Sequence, residues 1–168
     1  MRFKKGLRCG KIELARRNVF DECSERDVAL WGAMVVGDQR GAVFGSLVEA
    51  PLRPSNKKYQ GTNSTFVFTN ISGHPVIYRP TGLTRYFTLC NSEFLAIGGG
   101  SHFAVYLDGD LLNGSRSVSE TYENPCLANS QDFEVKEVEV LMQLLRFFSH
   151  AHNVTHSFIL SFLSFSGC

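Results

Sequence analysis

The stretch from Thr65 to Val140 constrains the fold most, because short apolar segments follow one another and each is cut by Gly, Asn, Asp or Pro. Short runs of apolar and β-branched residues between turn residues are typical of strands. The pairs Asp108-Gly109 and Asn113-Gly114 are of the kind that closes β-hairpins. The sequence therefore predicts a compact, mainly β domain of many short strands, within the α+β class.

Two local features of this pattern, a hairpin and a β-bulge, can be assigned to particular residues. Ala33–Val36 and Ala42–Val48 are predicted strands that flank a Gly- and Asp-containing turn, which predicts a hairpin. Farther along, Phe133 shares one strand parity with Val135, whereas Val138 has the opposite parity. Since side chains alternate between the two faces of a strand, a change of parity predicts a β-bulge near residues 136–137.

Alternation and helical spacing give two further expectations. Phe66 and Phe68 are expected on one face of a strand, with Val67 on the other. Apolar residues in Lys11–Leu30 recur near helical spacing, which favours one amphipathic helix before the first hairpin.

Composition indicates one soluble domain and argues against a nucleic-acid surface. The chain has 168 residues, of which 43% are hydrophobic and 20% charged. Its first 17 residues carry seven basic side chains and one acidic one, but the remainder carries ten basic and 15 acidic side chains. Phosphate backbones are bound by positive surfaces, so the mildly acidic remainder is not expected to bind nucleic acid.

The cysteines and histidines do not have the spacing of a metal site. The five cysteines are scattered without a CxxC pair, and the C-terminal histidines lack an HExxH arrangement. We therefore expect no metal and no cofactor. An odd number of cysteines and no apolar leader favour a reducing compartment, so we expect a cytoplasmic protein, with a mitochondrial or nuclear location left open.

Several residues could be assigned catalytic roles, and each also has a structural interpretation. The glycines at 98–100 have no following Lys, as a phosphate loop requires, and are better explained as a tight turn. Ser101 or Cys90 could act as a nucleophile, but in a strand Ser101 and His102 would point to opposite faces. Glu120 follows a glycine-containing turn, where its carboxylate could cap backbone N–H groups or face a partner. Sequence alone leaves both roles open.

Beyond these patterns, the chain resembles the TLDc family, the oxidation-resistance domain. The resemblance covers about residues 34–140, in the family's order and spacing. Ala50–Thr69 resembles the plant members most. The motifs that carry the resemblance are GAVFG (41–45), TFVF (65–68), YRPTG (78–82), RYFTLC (85–90), LAIGGGSHFAVYLDGDLLNGS (95–115), SETYENPCL (119–127) and DFEVKEVEV (132–140).

The resemblance implies a two-sheet antiparallel β-sandwich flanked by short helices. It implies a non-enzymatic, protein-binding module that protects against oxidative stress, and it suggests binding and regulation of the vacuolar proton-pumping ATPase. The alternative is a small hydrolase or redox enzyme that uses Cys90 or Ser101. By motif match, the family's glycine, acidic and Asn positions fall on Gly99, Gly100, Asp108, Asp110, Gly114, Glu120 and Asn124.

Both ends of the chain depart from the family pattern. Residues 1–32 match its opening helix and strand poorly, and after Val140 the expected Trp-Gly-Phe is replaced by other residues. We therefore divide the chain into an atypical segment (1–32), a TLDc domain (33–140) and a divergent apolar tail (141–168). Arg146 and three histidines interrupt this tail, so it lacks the about 20 consecutive apolar residues of a transmembrane helix.

Overall fold

The computed structural model describes residues 2–4, 30–50, 55 and 58–144, and these are organised almost entirely as strands and turns. No helix occurs among the described residues. The ten strands are β1 (Arg2–Lys4), β2 (Leu30–Asp38), β3 (Val43–Ala50), β4 (Phe66–Thr69), β5 (Val76–Tyr78), β6 (Thr88–Cys90), β7 (Phe94–Ile97), β8 (Val105–Asp108), β9 (Asn113–Ser115) and β10 (Asp132–Leu144).

All ten strands belong to one antiparallel sheet. Its hydrogen-bonded path runs β5-β4-β3-β2-β10-β9-β8-β7-β6, and β1 pairs with β10 beside this path. The 13-residue β10 joins the two halves: its first residues, Asp132 to Glu134, pair with β9, and its later residues pair with β2. The register shifts between Val135 and Glu137, which confirms the predicted bulge.

The structure confirms the mainly β, antiparallel class and the predicted hairpin, which is formed by β2 and β3. It does not show the two separate sheets or the flanking helices that the resemblance implied. In the described ranges the strands form one continuous path, because β10 is long enough to pair with both halves. The helix predicted for Lys11–Leu30 lies, except for its last residue, outside the described residues, as does the tail after Leu144.

One hydrophobic core is shared by the two halves of the sheet. Phe44 of β3 and Phe133 of β10 meet edge to face, with ring centroids 5.0 Å apart. The same cluster takes fully buried residues from both halves, including Val36 and Val67 on one side and Leu107 on the other. The halves therefore stabilise each other through apolar burial as well as through the backbone ladder.

The second face of β4 carries a smaller cluster. Phe66 and Phe68 pack with Ile77 there, whereas Val67 belongs to the shared core, so the predicted alternation is confirmed. The guanidinium of Arg79 lies 5.8 Å from the centroid of the Phe66 ring, within the range of a cation–π contact.

Gly45 shows how closely the central strands approach each other. A side-chain methyl at Gly45 of β3 would collide with the backbone oxygen of Met34 in β2, whereas one at Gly32 of β2 would lie 3.7 Å from Val48. A backbone oxygen in a paired strand cannot move aside as a flexible side chain can.

We therefore expect Gly45→Ala to lower the free energy of unfolding by about 1–3 kcal/mol through overpacking. The matched variant Gly32→Ala should cost less than about 1 kcal/mol, because its methyl enters ordinary contact. Denaturant titration of both variants measures the difference. Equal losses would contradict this account of the β2–β3 contact.

Candidate functional site

A turn of three glycines and the loop 119–124 meet beyond the end of β7. Gly98 and Gly100 adopt φ values of 75° and 107°, which glycine tolerates and residues with a Cβ rarely adopt. A side chain at Gly100 would also collide with the carboxylate of Glu120, and one at Gly99 would lie 2.5 Å from Cβ of Tyr86. The glycines are thus required both by the turn conformation and by the close approach of the loop.

Glu120 is exposed, yet its position is fixed by hydrogen bonds to this turn. Its Oε1 accepts hydrogen bonds from the backbone N–H of Ser101 (3.1 Å) and from the Ser101 hydroxyl (2.8 Å). Its own backbone N–H donates to the carbonyl of Gly99 at 3.0 Å. Oε2 accepts no hydrogen bond from any residue that the structure describes.

Thr121 fixes the loop 119–124 through hydrogen bonds on its buried side. It is fully buried, and its Oγ1 accepts a hydrogen bond from the N–H of Gly99 at 3.1 Å and lies 2.8 Å from the hydroxyl of Thr84. The Thr81 hydroxyl donates to the carbonyl of Glu120 at 3.1 Å. Residues of the segment before β6 therefore fix the loop from one side, and the glycine turn fixes it from the other.

Asn124 serves as a structural link in the same loop. It is fully buried; its Oδ1 accepts from the Ser119 hydroxyl at 2.8 Å, and its Nδ2 donates to the carbonyls of Ser117 (2.8 Å) and Pro125 (3.0 Å). A buried amide with these partners has its hydrogen-bonding groups satisfied within the chain. Asn124 therefore positions Glu120 and does not itself face a partner.

The other predicted site residues lie at the opposite end of β8. Asp108 accepts hydrogen bonds from the backbone N–H groups of Leu112 and Asn113, both at 3.1 Å, and Asp110 accepts from Leu112 at 2.9 Å. Gly114 lies against the ring of Phe133, where a Cβ would be 2.5 Å from Cζ. The seven predicted residues thus form two groups: Gly99, Gly100, Glu120 and Asn124 at the glycine turn, and Asp108, Asp110 and Gly114 at the β8–β9 turn.

The catalytic candidates are not brought together as a nucleophile and an imidazole base. Cys90 is buried in β6, with its Sγ 4.0 Å from the carbonyl oxygen of Asn91. The expectation that Ser101 and His102 belong to a strand is wrong, because β8 begins at Val105 and both residues lie in the bend before it. Sequence reasoning also missed the bond between Ser101 and Glu120, since its partners are 19 residues apart.

The structure adds two observations on metal ions and membranes. Among the described side chains, no three His, Cys, Asp or Glu residues converge as they would around a metal ion. In the same part of the chain, no helix has the length and apolar character needed to cross a membrane.

Two tyrosines beneath the glycine turn are perturbed by burial. Burial, and to a lesser extent the neighbouring Tyr86, raises the pKa of Tyr59; the rings of these two tyrosines lie 4.7 Å apart. Burial raises the pKa of Tyr122 to about 12, although its hydrogen bond with Thr65, at 2.9 Å, acts in the opposite direction. The neutral Tyr122 phenol is therefore part of the folded loop framework.

Alkaline pH should expose this contribution of Tyr122. Below pH 10.0 the phenol is neutral in both states; between 10.0 and about 12 the unfolded chain loses the proton first, so the free energy of unfolding falls. A shift of this size corresponds to roughly 2–3 kcal/mol in total. Tyr122→Phe should flatten this part of the stability–pH curve, measured by denaturant titration from pH 9 to 12. An unchanged slope would contradict the assignment.

Tyr122→Phe should keep its fold at neutral pH, because the Thr65 hydroxyl also donates to the carbonyl of Thr62 at 2.9 Å. The lost hydrogen bond is then expected to cost only about 0.5–1.5 kcal/mol. Tyrosinate absorbance provides a second measurement: the variant should lack the most alkaline step of the titration.

Comparisons with known proteins place this architecture in a family. The TLDc domain model matches residues 30–142. Oxidation resistance protein 1 from Homo sapiens is 39% identical over 108 residues, which are 64% of this chain and 12% of that protein. The Rattus norvegicus protein of the same name is 38% identical over 108 residues, covering 64% and 13%. Nuclear receptor coactivator 7 from Homo sapiens is 32% identical over 108 residues, covering 64% and 11%.

The matched stretch is therefore about one eighth of the length of these relatives. The family match over residues 30–142 includes both groups of site residues, all of strands β2 to β9, and β10 up to Met142. Since the family model covers more than half of the residues, the chain belongs to the TLDc domain family.

Proposed function

We propose that this domain is a non-enzymatic interaction module that protects cytoplasmic components against oxidative stress by binding and regulating the vacuolar proton-pumping ATPase. The observation that carries the proposal is the Glu120 carboxylate, held at the surface by the glycine turn with one oxygen left for a partner. Membership of the family, whose relatives include proteins named for oxidation resistance, supports the connection to stress.

The residues around Glu120 favour a protein partner. Leu83 is 70% exposed, and Tyr86 (44%) and Val118 (54%) are also exposed large apolar side chains of the segments that form the site. Exposed aromatic and apolar groups beside a fixed charge are typical of protein interfaces, where the apolar groups are buried and the charge selects the partner. We propose that Glu120 pairs with a basic side chain of a pump subunit.

An enzymatic role is the alternative, and the geometry favours it less. Nucleophilic catalysis by a serine or cysteine needs a base within hydrogen-bond reach of the nucleophile. The Ser101 hydroxyl donates to an exposed carboxylate, and Cys90 is buried, with its Sγ 4.0 Å from the carbonyl oxygen of Asn91. Ser101 stabilises the contact between the glycine turn and Glu120, and Cys90 contributes to the buried side of β6.

Glu120→Gln and Glu120→Ala should both reduce capture of pump subunits in a pull-down, by about tenfold if the charge is a hot spot of the interface. Glu120→Gln keeps an oxygen acceptor for Ser101 and should change the melting temperature little. The matched control is Glu123→Gln, which removes another exposed carboxylate from the same loop and should leave capture unchanged.

Two outcomes of this experiment would count against the proposal. Capture by the unmodified chain no better than by an unrelated domain would exclude the pump as the partner. A large fall in melting temperature for Glu120→Gln would instead make Glu120 a structural cap of the glycine turn.

A double variant, Cys90→Ala with Ser101→Ala, separates the module from the enzyme. Neither residue is assigned a chemical role, and in Ser101→Ala the backbone N–H of residue 101 can still donate to Oε1 of Glu120. Cells that depend on this protein should therefore survive peroxide as well with the variant as with the original chain, provided that the variant still captures pump subunits. Thermal melting checks that the variant is folded. Loss of protection by a folded double variant would favour the hydrolase or redox alternative.

A further inference from the structure

A second feature lies at the opposite end of β8 from Glu120. A cavity of about 650 Å³ opens between the β2–β3 turn and strands β8, β9 and β10. This volume is in the range of cavities that hold small ligands or a long side chain. Its lining includes Asp38, Arg40, Tyr106, Asp108, Asp132 and Glu134, together with all three residues of β9.

Asp38 is the unusual member of this lining. Only 1% of it is exposed, and its Oδ1 accepts hydrogen bonds from the backbone N–H groups of Arg40 (2.9 Å) and Ala42 (2.7 Å), which fix the turn. Its other oxygen, Oδ2, is buried and has no hydrogen-bond partner among the residues that the structure describes. Since a buried carboxylate without a compensating group is costly, this oxygen is an unexplained feature of the folded chain.

The other charges of the cavity have mostly the same sign. Carboxylates of Asp108, Asp132 and Glu134 join that of Asp38, and Arg40 is the one cationic residue among the lining residues. Asp108 is already occupied by turn hydrogen bonds, whereas Asp132 and Glu134 are exposed at the rim. A concave surface lined by one sign of charge concentrates the field and attracts the opposite charge.

The arrangement suits an extended organic cation better than a metal ion. Among the described residues, no three His, Cys, Asp or Glu side chains converge as they would around a metal ion. Tyr106 adds a half-buried aromatic ring to the lining. That ring already packs with the rings of Phe94 and Phe103, whose centroids lie 5.4 and 6.1 Å away. The preference therefore rests on the carboxylates: a planar guanidinium can donate to several of them at once, which a compact ammonium does less well.

We propose that this cavity binds an arginine side chain of a partner protein. In this proposal the exposed carboxylates of Asp132 and Glu134 accept hydrogen bonds from the guanidinium. The buried carboxylate of Asp38 adds electrostatic attraction from within the protein. The inference rests on the proposed function, because it gives the interaction module a second contact at the end of β8 opposite Glu120. Arg40, at the same rim, competes with the incoming cation.

The test is a titration of the full chain, labelled with ¹⁵N, with the acetylated and amidated peptide Gly-Arg-Arg-Gly. Shifts of the amide signals of Asn113, Ser115 and Glu134 report binding in the cavity. The matched peptide carries citrulline in place of arginine, which keeps the shape and removes the charge. A third titration uses agmatine, a free guanidinium compound.

The variants should change the affinity in opposite directions. Glu134→Gln and Asp132→Asn should each weaken peptide binding about twofold to fivefold, whereas Arg40→Gln should strengthen it by a similar factor. Asp38→Asn should weaken it most, by about tenfold, since that carboxylate is the least screened by solvent. Should Asp38→Asn fail to fold, the three rim variants still decide the question, because they alter exposed residues.

Each outcome bears directly on the inference. Cavity shifts with the arginine peptide and none with citrulline, together with the opposite effect of Arg40→Gln, are the expected result. Equal shifts with both peptides, or no shifts, would overturn it and leave an ordered water as the partner of Asp38. Agmatine binding as tight as the peptide would point to a small-molecule ligand and would overturn the partner-protein assignment.

Failure here is distinguishable from failure of the proposed function. Pump-subunit capture that depends on Glu120 would still be observed if the cavity were empty. A cavity that binds the arginine peptide in a chain that captures no pump subunit would keep the guanidinium site and remove the pump.

Discussion

The fold depends on the pairing of β10 with neighbours on both of its sides. In the described part of the chain, β10 is the strand through which the β2–β5 half and the β6–β9 half are hydrogen-bonded into one sheet. The bulge between Val135 and Glu137 lies just after the residues that pair with β9. Since a bulge bends its strand, it allows one strand to serve two halves that share a core, where Phe44 of one half meets Phe133 of β10.

This dependence explains why both candidate sites lie in turns. The strands of the second half are short, and each connection between them must reverse within a few residues, so backbone N–H groups at the reversals need acceptors. Carboxylates provide them: Glu120 accepts from Ser101, Asp108 from Leu112 and Asn113, and Asp38 from Arg40. The same acidic side chains therefore stabilise the turns and place negative groups at the two candidate sites.

Local features of the fold could be predicted from the sequence, and long-range ones could not. The hairpin of β2 and β3, the alternation of Phe66 with Val67 and the bulge near residue 136 follow from turn residues and from a period of two. The single sheet does not, since it depends on the pairing of β10 with β2, which lies about a hundred residues earlier in the chain. The site divides in the same way. Glu120 could be singled out from the sequence, but its bond with Ser101 is a tertiary contact, and so is the burial of the Asp38 oxygen that has no partner among the described residues.

At the two ends of β8, some residues fix the shape of a turn and others present a carboxylate at it. Gly100 and Asn124 are fixed by a steric limit and by buried hydrogen bonds, so changes there alter the loop itself. Glu120 is exposed, and Gln can keep its bond to the turn, so charge can be removed there with little change of shape. Asp38 combines both properties: Oδ1 holds the turn, while Oδ2 is buried without a hydrogen-bond partner among the described residues. A ligand that supplied a partner to this carboxyl group would therefore also stabilise the β2–β3 turn, and through β2 the ladder with β10 on which the fold depends.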